Sequence, residues 1–184
     1  MACTCTNVTY ALKTMSNSLC EGNTGGIKNV WVALKCDVVA TKSQDTDNNV
    51  VATVAAADES QKPKPFYEYA FRKNTSSFTS TLNADQDNMT QYWTTELTMQ
   101  FKKTEAAKRM SLMALVQNDC VAVVEDNNGV KWFLGFDEPL VATAGTHNSG
   151  TQRSDANMYE ITLSDESNEA PMTVKEWDGS LVSA

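Results

Sequence analysis

Apolar and polar residues alternate without a break over positions 93–102. Trp93, Thr95, Leu97, Met99 and Phe101 interleave with Thr94, Glu96, Thr98, Gln100 and Lys102, so one face is mostly apolar and the other polar, as in a half-buried strand. The period then changes. Thr104 stands where an N-cap belongs, Glu105 suits the positive end of a helix dipole, and Ala106, Ala107, Met110, Met113 and Ala114 recur at helical spacing, which predicts a helix over about 104–117. A period of two returns in 120–125 and 130–136. Asp126-Asn127-Asn128-Gly129 joins these runs with residues that accept positive φ, so the pair reads as a β-hairpin.

Upstream, 29–40 reads as one strand whose Val30-Trp31-Val32-Ala33-Leu34 is continuously apolar, as in a strand buried on both faces. Residues 43–49 form a polar loop, and the β-branched run 50–55 supplies a partner strand, giving a hairpin with a long tip. Pro63 and Pro65 make 58–65 an exposed connection. Strand pattern resumes over 66–72, where Tyr67, Tyr69 and Phe71 share a face, and again over 78–83, before a turn at 85–89. Downstream, Glu138-Pro139 ends regular structure, the Gly/Thr/Ser/Asn-rich stretch 143–157 is expected as a loop, and 158–164 closes the fold with Tyr159, Ile161 and Leu163 on one face. About eight short strands with one late helix predict a mainly β fold, an antiparallel β-sandwich or barrel with one flanking α-helix and long loops. The expected organisation is an N-terminal arm (1–28), one sandwich domain (29–164) and a C-terminal tail (165–184) whose Met172, Val174, Trp177 and Leu181 are placed to dock on a neighbour.

The chain has 184 residues, enough for one domain with a sizeable core. Its 23 acidic and 15 basic residues give a net charge of -8, which disfavours phosphate-backbone binding as a main source of affinity. No window is apolar over the length a bilayer crossing needs, and the first residues lack the basic start and apolar stretch of a secretory signal, so a soluble, unsecreted protein is expected. Five irregularly spaced cysteines point to a reducing compartment. Cys36 and Cys120 lie in apolar runs and read as core residues, while Cys3, Cys5 and Cys20 lack the paired spacing of a zinc site.

Catalytic chemistry finds little to build on. His147 is the only histidine, and no rigid mount for a serine nucleophile accompanies it. Glu96 and Glu125 are the carboxylates best placed to converge as a glycosidase pair, but each also fits a solvated surface. Asp45-Thr46-Asp47-Asn48-Asn49 begins like a calcium loop, yet Val50 replaces the turn glycine and Ala56 the closing glutamate; Asp85-Gln86-Asp87 fails similarly, at Met89. Phosphate-cradling glycine motifs do not occur. Tyr67, Tyr69, Trp93 and Trp132 alternate with polar residues as core aromatics do. No catalytic residue, metal site or cofactor is expected.

The order of elements resembles the tail tube proteins of long-tailed bacteriophages. The likeness rests on Phe66-Tyr67-Glu68-Tyr69-Ala70-Phe71-Arg72 leading into a Thr/Ser-rich strand, on the strand, helix and hairpin of 93–136, and on Tyr159-Glu160-Ile161-Thr162-Leu163, within 29–164. The resemblance implies a virion structural protein, made in the host bacterial cytoplasm, whose hexameric rings stack into a conduit for the genome. Strands of neighbouring subunits would close an inner barrel, and an acidic lumen would repel DNA phosphates. Under it, Glu68, Thr94, Glu96, Thr98 and Gln100 are expected to face the lumen. Asp45, Asp47, Asn49, Lys62 and Lys64 in loop 41–65, and Thr146, His147 and Arg153 in loop 143–157, are expected to meet neighbours. The implied partners are copies of the chain, other virion proteins and DNA in transit, with no membrane and no small-molecule substrate. The alternatives are another phage part (capsid decoration, head-tail connector or collar ring) and then a monomeric carbohydrate-binding β-sandwich.

Overall fold

The computed structural model describes residues 23–44, 50–57, 65–71, 75–175, 177 and 181–183. Their strands are β1 (Ile27–Leu34), β2 (Val38–Gln44), β3 (Val50–Ala56), β4 (Phe66–Glu68), β5 (Ser77–Asp85), β6 (Thr90–Lys102), β7 (Cys120–Asp126), β8 (Lys131–Leu134), β9 (Val141–Asn148), β10 (Met158–Ser167), β11 (Met172–Val174) and β12 (Val182–Ser183). Helix α1 (Ala106–Gln117) follows β6. An eight-stranded sheet runs β12-β4-β1-β7-β8-β11-β3-β2, and a four-stranded sheet runs β5-β6-β10-β9. The fold is mainly β, two sheets with one helix, as the periodicity predicts. All pairings are antiparallel except β11 with β3 and β12 with β4.

The continuously apolar runs divide between two cores. Val30 and Val32 of β1, with Cys120, Ala122 and Val124 of β7, meet Leu97, Met99, Phe101, Ile161 and Leu163 of the four-stranded sheet. Their alternate neighbours Trp31, Ala33, Val121 and Val123 join Phe66, Phe133 and Met172 on the other side. That second cluster also takes in Val38 and Ala40 of β2 and Val182 of β12, strands at opposite ends of the large sheet, so the sheet curls around it. With period-two geometry, a strand buried on both faces has no polar positions to spare. The 126–129 hairpin forms as expected. Asp126 Oδ1 accepts the N–H groups of Asn128 and Val130, each at 2.9 Å, and Gly129 takes φ +86°.

Several elements depart from the sequence reading. The predicted strand 29–40 breaks at a 3-10 turn, Lys35–Asp37, where Lys35 Nζ donates to the carbonyls of Gly135 and Phe136; Cys36 sits exposed on this turn instead of in the core. Only β4 forms from the predicted strand 66–72. Beyond it Tyr69 turns inward and packs its ring 5.8 Å from Phe101, while Tyr67 stays exposed. Much of the predicted loop 143–157 is strand β9, built by backbone pairing along β10 and not by apolar alternation. The helix starts at Ala106 with Glu105 as N-cap, and Thr104 does not cap it; instead its N–H donates to Asn157 Oδ1. Helical spacing is right but its phase is reversed: Leu112 and Leu115 face the core, whereas Met110 and Met113 are exposed.

Residues read as a C-terminal tail dock on the chain itself. β11 fills the slot between β8 and β3, and Trp177 lies 5.0 Å from Trp31 and 5.1 Å from Phe66. Trp177 is half-buried, so Trp177→Ala is expected to lower stability by about 2 kcal/mol, less than for a fully buried aromatic, whereas Met113→Ala on the exposed helix face stays within about 0.5 kcal/mol. Urea denaturation of the two variants checks the difference.

Candidate functional site

The outward face of the four-stranded sheet follows from its register. Thr94, Glu96 and Thr98 of β6 stand opposite Thr81, Thr79 and Ser77 of β5. On the other side of β6, Thr98, Gln100 and Glu96 stand opposite Thr162, Glu160 and Ser164 of β10. Because Thr95, Leu97, Met99 and Phe101 point into the core, everything between them points out. The result is a surface of hydroxyls, amides and carboxylates laced together laterally. Asn83 Nδ2 donates to Thr94 Oγ1 at 2.8 Å, the hydroxyls of Thr98 and Thr162 meet at 3.2 Å, and Gln100 donates to Glu160. Glu96, Glu160 and Glu166 on this face outnumber Lys102.

Neither margin of this sheet has a further strand partner among the described residues, although α1 lies against part of β9. β5 and β9 each pair on one side only. β9 has eight residues with no Lys, Arg, Asp, Glu or Pro, and the nine of β5 carry a charge only at Asp85. Soluble proteins ordinarily guard such edges with charge, proline or cover.

The expected lumen residues therefore separate. Thr94, Glu96, Thr98 and Gln100 share the outward face, but Glu68 belongs to β4 of the other sheet and lines a cavity beside α1. Among the expected contact residues, Thr146 and His147 lie on β9, not in a loop, with Thr146 opposite Glu160 and the His147 ring 4.7 Å from that of Tyr159. Arg153 is exposed in the loop after β9, which Asp155 pins by accepting the N–H groups of Thr151 and Gln152. Asp45, Asp47, Asn49, Lys62 and Lys64 lie outside the described residues. Sequence reasoning missed the β5 and β10 halves of the polar face and the edge character of β9; the threonines of 77–81 were the available signal.

Carboxylate chemistry is dispersed. Glu96 points outward on one sheet, while Glu125 of β7 is held by Asn29 Nδ2 at 2.8 Å and Lys28 Nζ at 3.3 Å on the other. Burial works against ionisation of Glu125, but those hydrogen bonds and the nearby Lys131 prevail and keep its carboxyl below the ordinary range. Among the described residues, no group of three or more His, Cys, Asp or Glu could hold a metal, and no helix is long and apolar enough to cross a membrane.

Asp165 is the buried exception. It lies inside the sandwich, where Gly135 at φ +85° approaches so closely that a Cβ there would stand 3.1 Å from Cys120 O. Desolvation raises the Asp165 pKa despite hydrogen bonds from Thr95 and the Gly135 N–H, and its Oδ1 has no hydrogen-bond partner among the described residues. A raised folded pKa means that the native state binds the proton more tightly than the unfolded chain. Stability should therefore fall as pH rises from the unfolded carboxylate value through the raised one, and the loss should persist above it. Glu125, whose carboxyl lies below the ordinary range, contributes a slope of opposite sign. The difference between wild type and Asp165→Asn in thermal melts across acidic to neutral pH therefore isolates what Asp165 contributes, and it should favour the wild type less as pH rises.

No family model, curated protein or solved structure matches the chain, which leaves the polar sheet and its two unpaired edge strands as the features that bear on function.

Proposed function

We propose that the chain is a non-enzymatic structural subunit of a virion, most specifically a tail tube protein whose copies join edge to edge into rings around a DNA conduit. The observation that carries this reading is the pair of long, nearly uncharged edges on one four-stranded antiparallel sheet. Pairing β5 of one copy with β9 of the next satisfies both ladders at once, and repetition around an axis turns four-stranded sheets into a closed barrel with no edge left. Such a contact is heterologous, and it gives a ring when the rotation closes.

The polar face supports the same reading. In a barrel of this kind it lines the bore, and a wall of threonine hydroxyls with Glu96, Glu160 and Glu166 offers DNA water-like contacts and a repulsive charge. The mutual hydrogen bonds of these side chains hold them flat against the sheet.

Negative-stain electron microscopy with light scattering over a concentration series tests the proposal. Hollow rings or tubes are the expected result, and a monodisperse monomer at every concentration overturns it. A second test reads the bore. Assemblies of the Glu96→Lys/Glu160→Lys variant should retain double-stranded DNA in a salt-dependent manner that wild-type assemblies lack. Equal retention by both would remove the bore assignment.

A further inference from the structure

The β5-β6 hairpin outruns its neighbours. β10 pairs with β6 only from Trp93 onward, so the turn at 86–89 and the residues flanking it project as a two-stranded ribbon. The turn is fixed by Asp85, whose Oδ1 accepts the N–H groups of Asp87 and Asn88 and whose Oδ2 accepts Asn88 Nδ2. At its end Met89 is 93% exposed and held at φ +54°, a conformation that disfavours any side chain. A large apolar group is thus presented to solvent on a strained, well-tied tip.

The opposite end of β6 carries a complementary hollow. Between α1 and strands β1 and β4 lies an open cavity of about 580 Å³, lined by Leu34, Tyr69, Phe101, Leu112 and Leu115, with Ser111 and Lys108 on its α1 wall and Glu68 on its β4 wall. Charge follows the same axis. From 77 to 101 the chain has no basic residue and carries Asp85 and Asp87 at the tip, whereas 102–109 holds Lys102, Lys103, Lys108 and Arg109 against Glu105 alone. Met89 and Phe101 are separated by twelve residue steps of extended chain, roughly 40 Å.

We infer that Met89 of one copy seats in the α1-β4 cavity of the next, its acidic turn against the basic start of α1, so that copies join head to tail along β6. This rests on the assembly reading above and adds the axial contact to the lateral one. A knob and a socket at opposite ends of one strand make a heterologous contact repeated by translation, which extends without limit. The occupant is a second copy because the apolar knob fits the apolar lining and its acidic turn fits the basic excess at the start of α1, which outweighs the single acid, Glu68, on the facing wall.

The test uses two variants of the full chain. Met89→Gly removes the knob and relieves the positive φ, so its melting temperature should not fall. Ser111→Trp fills the socket from an exposed helix position. By electron microscopy and light scattering, each variant alone should stop at a single layer under conditions where wild type elongates. Mixing the two after assembly should give two-layer particles and nothing longer, since only one knob and one socket remain. Elongation of either variant, failure of the mixture to double, or a wild type that never exceeds one layer overturns the inference. Rings that stack normally in Met89→Gly would leave the tube reading standing without this contact. Linear chains of single subunits that Met89→Gly abolishes would keep the contact and remove the ring.

Discussion

Burial of β1 and β7 on both faces is the constraint on which the rest depends. Val30, Val123 and Val124 are wholly enclosed, so these two strands must be covered from two directions at once. The four-stranded sheet supplies one cover, and the curl of the large sheet, with Trp177 and Phe66, supplies the other. Each fully buried valine or leucine contributes on the order of 2 kcal/mol relative to exposure. With two covers given to one strand pair, the described residues put no third layer on the outside of the four-stranded sheet, and that surface is therefore free to be polar.

Much of this was legible in the residues because period two is unambiguous when apolar and polar side chains alternate. The strand from Trp93 to Lys102 and the run at Tyr159-Glu160-Ile161 carry that signal, the Asp126-Asn127-Asn128-Gly129 turn carries the separate one of residues that accept positive φ, and all three form. β9 carried none, since Ala144, Gly145 and Thr146 do not divide into faces; only the ladder offered by β10 makes them a strand. Helix α1 misled in phase because both its sides are apolar, and the methionines at 110 and 113 were as good a stripe as the leucines at 112 and 115. β11 has three residues, too few for any period to register, and Trp177 announces its docking only by being a tryptophan.

The candidate surface was half legible for the same reason. Thr94, Glu96, Thr98 and Gln100 were visibly the polar side of a strand, but which strands flank them, and that Glu68 is elsewhere, are matters of register. Met89 carried a local signal in its setting. An apolar residue closing the Asp85-Gln86-Asp87-Asn88 turn has nowhere to hide, and its exposure follows from the tightness of the turn.

The place of β11 also bears on the order of events during synthesis. Among the described residues, β3 and with it β2 reach the remainder of the large sheet through strand pairing only across β11, whose Thr173 and Val174 pair with Val51 and Ala52. An N-terminal hairpin is thus locked in place by residues translated more than a hundred positions later. Until residues 172–177 have been made, that hairpin has its own partner strand but no second strand beside β3, and the second core lacks Met172 and Trp177. The large sheet therefore stays unfinished until residues 172–174 have been made, and any surface that requires a finished sheet matures only after that point.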